Sequence, residues 1–85
     1  MKNFNYTITD EIGIHARPAG LLAKEAKKYS SKITIHTGDK SAEATKLMAL
    51  MQLGVKCGQT IEVTVEGEDE STAVEEMKAF FEQNL

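Results

Sequence analysis

The 85-residue sequence predicts an α+β fold: an open-faced sandwich in which a four-stranded antiparallel sheet is covered on one face by three helices. Two observations carry that reading. The strand candidates alternate, most cleanly in Thr60-Ile61-Glu62-Val63-Thr64-Val65-Glu66, so each has one buried and one wet face. A parallel sheet covered on both sides would instead need continuous apolar runs. The second observation is the element order, strand, helix, strand, strand, helix, strand, helix, with helical spacing in the segments between the alternating ones.

Phe4, Tyr6 and Ile8 alternate with Asn5, Thr7 and Thr9 and open the chain as a strand. Asp10-Glu11-Ile12-Gly13 then reads as a turn. The first helix is expected from about Ala16 to Lys28, burying Ala19, Leu22, Ala26 and Tyr29. Lys32 to Thr37 follows as a strand with Ile33 and Ile35 inward, which puts His36 on the exposed face and makes it chemically inert. Gly38-Asp39 turns the chain into a short strand from about Lys40 to Ala44. The second helix, about Lys46 to Leu53, has Thr45 as its candidate N-cap and Gly54 at its end. Its buried stripe is expected at Leu47, Leu50 and Met51, with Met48 pointing elsewhere. Thr60 to Glu66 is the last strand. The final helix, about Glu70 to Gln83, begins in an acidic turn that favours a helix start, and buries Val74, Met77 and Phe81, with Ala73 and Phe80 flanking.

Eighty-five residues make a single domain the expectation for 1–85. No run approaches the ~20 apolar residues of a membrane span, and the N-terminus lacks a signal-peptide pattern, so no membrane insertion is expected. The one cysteine, Cys57, excludes an internal disulfide and suits a reducing compartment; a cytoplasmic monomer is the expectation. A net charge of −3 argues against a nucleic-acid binder. The charges are unevenly spread. Between His15 and Lys56 stand eight cations against three acids, and from Glu62 onward eight acids stand against Lys78 alone. A basic middle of the chain would steer acidic partners toward it. There is no metal-ligand cluster, no nucleotide-binding glycine loop and no carboxylate pair placed for acid–base work, so no cofactor or metal is expected.

The chemistry concentrates in Gly13-Ile14-His15-Ala16-Arg17-Pro18-Ala19, which holds the only arginine and the only proline. Proline suits a first helical turn, where its missing N–H would have had no partner. His15 therefore just precedes a helix start, whose unpaired N–H groups and partial positive charge favour an anion such as phosphate. Imidazole is discouraged from protonating there, which leaves a ring nitrogen available as a nucleophile. Were that nitrogen to take a phosphoryl group, the helix amides of Ala16 and Arg17 and the Arg17 guanidinium could hold its oxygens.

This motif resembles the active-site signature of the HPr family, the histidine-containing phosphocarriers of the bacterial sugar phosphotransferase system. The likeness extends along the chain through Gly38 to Lys40, Met51-Gln52-Leu53-Gly54-Val55, Gly58 and Gly67-Glu68-Asp69-Glu70. It implies a sheet order of first, fourth, second and third strand. It implies phosphoryl transfer from enzyme I to His15 Nδ1, assisted by Arg17, and onward to enzyme IIA proteins. It further implies a docking surface of Gly20, Lys24, Lys27, Lys46, Leu47, Met48 and Met51. One departure stands out: where many members carry a regulatory serine phosphorylated by an ATP-dependent kinase, this chain has Lys46. The competing reading is a regulatory docking module without phosphoryl chemistry, as in a catabolite-control relative that lacks the histidine; the presence of His15 favours the relay. A small-molecule-binding regulatory domain would need a ligand pocket that this arrangement does not suggest.

Overall fold

The computed structural model describes residues 1–11, 13–14 and 16–85. Its elements are β1 (Lys2–Thr7), α1 (Ala16–Ala26), β2 (Lys32–Thr37), β3 (Lys40–Glu43), α2 (Leu47–Gln52), β4 (Thr60–Glu66) and α3 (Glu70–Asn84). The sheet order is β1-β4-β2-β3, antiparallel throughout, as expected. Register runs from Lys2↔Val65 to Thr7↔Thr60 between β1 and β4, and from Lys32↔Glu66 to His36↔Glu62 between β2 and β4. β2 and β3 form a hairpin closed by Gly38-Asp39. Gly38, at φ 57, takes the first central position, where a II′ turn needs a left-handed backbone.

Alternation divides the sheet into two faces. Ile33, Ile35, Ala42, Ile61, Val63 and Val65 are buried under the helices, which contribute Ala19, Leu22, Ala26, Leu50, Ala73, Met77 and Phe81. Phe81 sits at the centre, with Phe4 and Tyr6 edge-on at 5.7 and 5.6 Å. The other face is polar. Asn3 Nδ2 donates to Glu62 Oε2 at 2.8 Å, the Thr7 and Thr60 hydroxyls meet at 2.8 Å, and His36 Nε2 lies 3.1 Å from Thr64 Oγ1. His36 is thus half-buried by its cross-strand neighbours rather than fully exposed.

Several local expectations are corrected. α1 ends at Ala26, not Lys28, because the chain must turn back into β2. That turn is held from across the molecule by Asp69, whose carboxylate accepts from the Ser30 and Ser31 amides at 3.0 and 2.9 Å and from the Ser31 hydroxyl. Tyr29 is half-buried, and its hydroxyl donates to Glu25 Oε2. Thr45 does not cap α2. Lys46 occupies the N-cap position in an extended conformation, without a side-chain cap. Only Leu50 of the expected stripe is buried; Leu47 and Met51 remain 40% exposed each, because so short a helix lies at the rim with no layer above it. In α3 the buried line is Ala73, Met77 and Phe81, and Val74 falls to its half-buried edge.

Candidate functional site

Three separate attachments fix the backbone that leads into α1. Ile14 N–H donates to the Val55 carbonyl at 3.0 Å, and Gly13 N–H to the Asp10 carbonyl at 3.0 Å. The Thr9 and Asp10 amides both donate to the Leu85 carbonyl, at 2.6 and 2.8 Å. Gly13 sits at φ 85 against the Val55 segment, so close that a Cβ would lie 2.3 Å from the Val55 oxygen. A glycine, an inward Ile14 and a tethered Asp10 thus aim the start of α1.

The expected nucleophile, His15, lies outside the described residues. Its neighbours do not. Ala16 and Arg17 open α1, followed by a buried Pro18 and Ala19. By helix geometry the amides of Ala16 and Arg17 have no acceptor within the helix, while Pro18 has no N–H to leave unpaired. Arg17 is exposed and shares a shallow depression with Asp10, Leu21, Gln83 and Asn84. The amides and the guanidinium expected to hold an anion therefore lie on one turn.

One turn further along, α1 and α2 enclose a groove. Gly20, Lys24 and Lys27 line it from α1, and Lys46, Leu47 and Met48 from the start of α2, with Ala23 and Thr45 between. Six of the seven expected docking residues therefore meet in one depression; Met51 lies outside its lining, on the same helix. No carboxylate lines the groove. Glu25, the acid of α1, is taken up elsewhere, 3.0 Å from Lys28 Nζ and bonded to the Tyr29 hydroxyl. Partial burial pushes the Glu25 carboxyl up, but the Lys28 and Tyr29 hydrogen bonds and the Lys28 charge outweigh it, so the group titrates below its ordinary value. Burial first, then the Glu25 partner, pushes the Tyr29 hydroxyl well up. Among the described residues the other ion pairs, Lys32–Glu43 and the N-terminal ammonium with Glu70, also avoid the groove. Its lysines face outward without a local counter-ion, around an apolar strip that includes a 67% exposed Met48.

Leu21, 42% exposed, lines the shallow depression around Arg17 rather than the groove and was not anticipated. The signal was available: residues 17, 20, 21 and 24 recur at the spacing of a single helix face. Asp10 had no such signal, since its place beside Arg17 depends on how the preceding turn closes. Cys57 is exposed and its Sγ faces the Thr9 carbonyl at 3.8 Å. Among the described residues no cluster could hold a metal ion, and no helix is long and apolar enough to cross a membrane.

Fold and site together define a class: a small α+β protein in which a helix start with unpaired amides by helix geometry stands beside a groove lined by lysines and apolar side chains. Comparison with known proteins gives that class its family. Residues 2–83 match the family model described as the PTS HPr component phosphorylation site. The phosphocarrier protein HPr of Mycoplasma capricolum is 41% identical over 78 residues, 92% of this chain and 88% of that protein. Among solved structures, a Mycoplasma histidine-containing phosphocarrier protein superposes with TM-score 0.90 at 39% identity, covering 93% of this chain and 90% of that one. HPr-C-His of Thermoanaerobacter tengcongensis gives 0.93 at 34% identity, covering 99% and 94%. The chain belongs to the HPr family of phosphotransferase-system phosphocarriers.

Proposed function

We propose that the protein is a phosphocarrier that accepts a phosphoryl group on His15 from enzyme I and passes it to enzyme IIA proteins during sugar uptake. The observation that supports this reading is the opening of α1: Ala16 and an exposed Arg17 form its first turn, directly after His15 in the chain, where helix geometry leaves the amides without acceptors in the helix. In the forward step a ring nitrogen of His15 attacks phosphorus, the P–N bond to His15 forms and the donor's bond to phosphorus breaks. Arg17 and the amides hold the phosphoryl oxygens. In the onward step the acceptor attacks phosphorus, the P–N bond breaks and the His15 imidazole departs as a good leaving group, while the same contacts hold the phosphoryl oxygens. The partners complete each transfer site, and the carrier acts as a monomer in the cytoplasm.

The groove supports the docking half of the proposal. Lys24, Lys27 and Lys46 offer long-range attraction to an acidic partner surface, and Leu47, Met48 and Met51 offer apolar contact once it arrives. Because Lys46 replaces the regulatory serine, kinase control at that position is expected to be absent. Treatment with ATP and an HPr kinase should leave the Ser41–Lys46 segment unmodified by mass spectrometry.

The deciding experiment is incubation with phosphoenolpyruvate and enzyme I, read by intact mass. The wild-type protein and His36→Ala should gain one phosphoryl group, and His15→Ala none. An acid-labile phosphate on His15→Ala would overturn the assignment. Failure of the wild-type protein to take phosphate would instead favour the docking-module reading.

A further inference from the structure

The four methionines occupy sharply different environments. Met77 is fully buried under the sheet, Met1 is 72% exposed beside the polar sheet face, and Met48 and Met51 are 67% and 40% exposed on α2. Only Met48 lines the groove with Lys24, Lys27 and Lys46. Leucine would supply the same apolar area at that position without a thioether that oxidants attack. We propose that Met48 is a reversible oxidation site through which hydroperoxides weaken partner docking; the inference rests on the docking role proposed for this groove.

The step balances with the hydroperoxide as oxidant. The thioether sulfur attacks the distal peroxide oxygen, the O–O bond breaks, an S–O bond forms, and hydrogen peroxide leaves as water. Sulfur is oxidised by two electrons and the peroxide is reduced by two. Oxidation is governed by access, so Met48 should react ahead of Met51 and far ahead of Met77. The product places a strong hydrogen-bond acceptor in a groove whose three ammonium groups have no carboxylate beside them. Two losses follow together. The apolar floor becomes polar, and the lysines gain an acceptor within the groove that competes with a partner's carboxylates. A methionine sulfoxide reductase would restore both.

The test uses a Cys57→Ser background, so that the exposed thiol does not consume the oxidant. After mild hydrogen peroxide treatment, peptide mass spectrometry should find oxygen on Met48 before Met51 and none on Met77. With enzyme I and phosphoenolpyruvate, the oxidised protein should show a KM for phosphate acceptance raised about fivefold or more, with the rate at saturation unchanged. Methionine sulfoxide reductase should return the KM to its starting value. Met48→Leu should show the same KM before and after peroxide treatment, each measured against its own untreated value, whereas Met1→Leu should remain sensitive. An unchanged KM in protein shown to carry the Met48 sulfoxide would overturn the inference, as would equal sensitivity of Met48→Leu. Intact mass at saturating enzyme I reports separately on phosphoryl acceptance: a protein that never gains phosphate refutes the carrier reading itself. In that case loss of binding to enzyme I on oxidation, by calorimetry, still decides the oxidation claim.

Discussion

At Gly13 the backbone leading to the site tolerates no side chain. With φ at 85 and a Cβ position 2.3 Å from the Val55 oxygen and 2.7 Å from Lys56 Cα, both neighbours are backbone and neither can swing aside. Gly13→Ala should therefore cost about 2–3 kcal/mol in urea unfolding, combining left-handed strain with a steric clash. Gly20 is the opposite case. It lies inside α1 with nothing within 4 Å of its Cβ position, so Gly20→Ala should gain about 0.8–1 kcal/mol from helix propensity. If the two glycines behaved alike in the same denaturation series, the account of how α1 is aimed would fail. The motif around them was legible because histidine, arginine and proline chemistry is written in consecutive residues. Leu21 was legible too, through its helix phase with Arg17, though it was not anticipated; Asp10 was not legible, because its place beside Arg17 comes from turn closure.

Among the elements, β2 and β4 were readable to the residue and β3 to within one, since alternation records locally which side chains face inward, whereas β1 runs Lys2–Thr7, two residues earlier than the Phe4–Thr9 alternation indicated. α2 was readable in extent but not in burial. Leu47, Leu50 and Met51 have the same spacing whether a helix is covered or lies at a rim, and only the three-dimensional arrangement decides which. Its start carries a cost: Lys46 puts a cation at the positive end of the helix and offers no cap. Lys46→Asp should stabilise the fold by about 0.5–1 kcal/mol while raising the KM for phosphate acceptance. A variant improved in both respects would contradict a docking role for Lys46. The acidic start of α3 also does more than favour a helix. Asp69 ties α3 to the turn after α1, and the Ser31 hydroxyl, then the Ser30 amide, hold its carboxyl below the usual range. Its folded pKa is thus lower than its unfolded one, near about 3.9. The stabilisation is complete above that unfolded value and is lost as pH falls through the folded value. In thermal melts the wild-type Tm should fall more steeply than that of Asp69→Asn as pH drops below about 4. Parallel Tm curves for the two proteins would remove Asp69 from the acid response.

For the whole molecule, a net charge of −3 hides a division of labour. The acids concentrated from Glu62 onward go to β4, α3 and the turn between them, while Lys24, Lys27 and Lys46 converge on the groove between α1 and α2. This convergence could not be read from position in the chain, since Lys24 and Lys46 stand on different helices with two strands between them. A negative molecule with one positive face is oriented as it approaches an acidic partner, and the benefit appears in the association rate more than in the lifetime of the complex. Reversing two of the charges tests this without disturbing the core, because both side chains are exposed. Lys24→Glu/Lys27→Glu should slow association with enzyme I about tenfold at low ionic strength, with little change in dissociation. Screening should close the gap between variant and wild type as salt rises toward about 0.5 M, where the Debye length is only a few ångströms. Stopped-flow measurements across a salt series give both rates. A tenfold defect that persisted at high salt would mean that the lysines act through close contacts in the docked complex, and steering by the basic face would have to be abandoned.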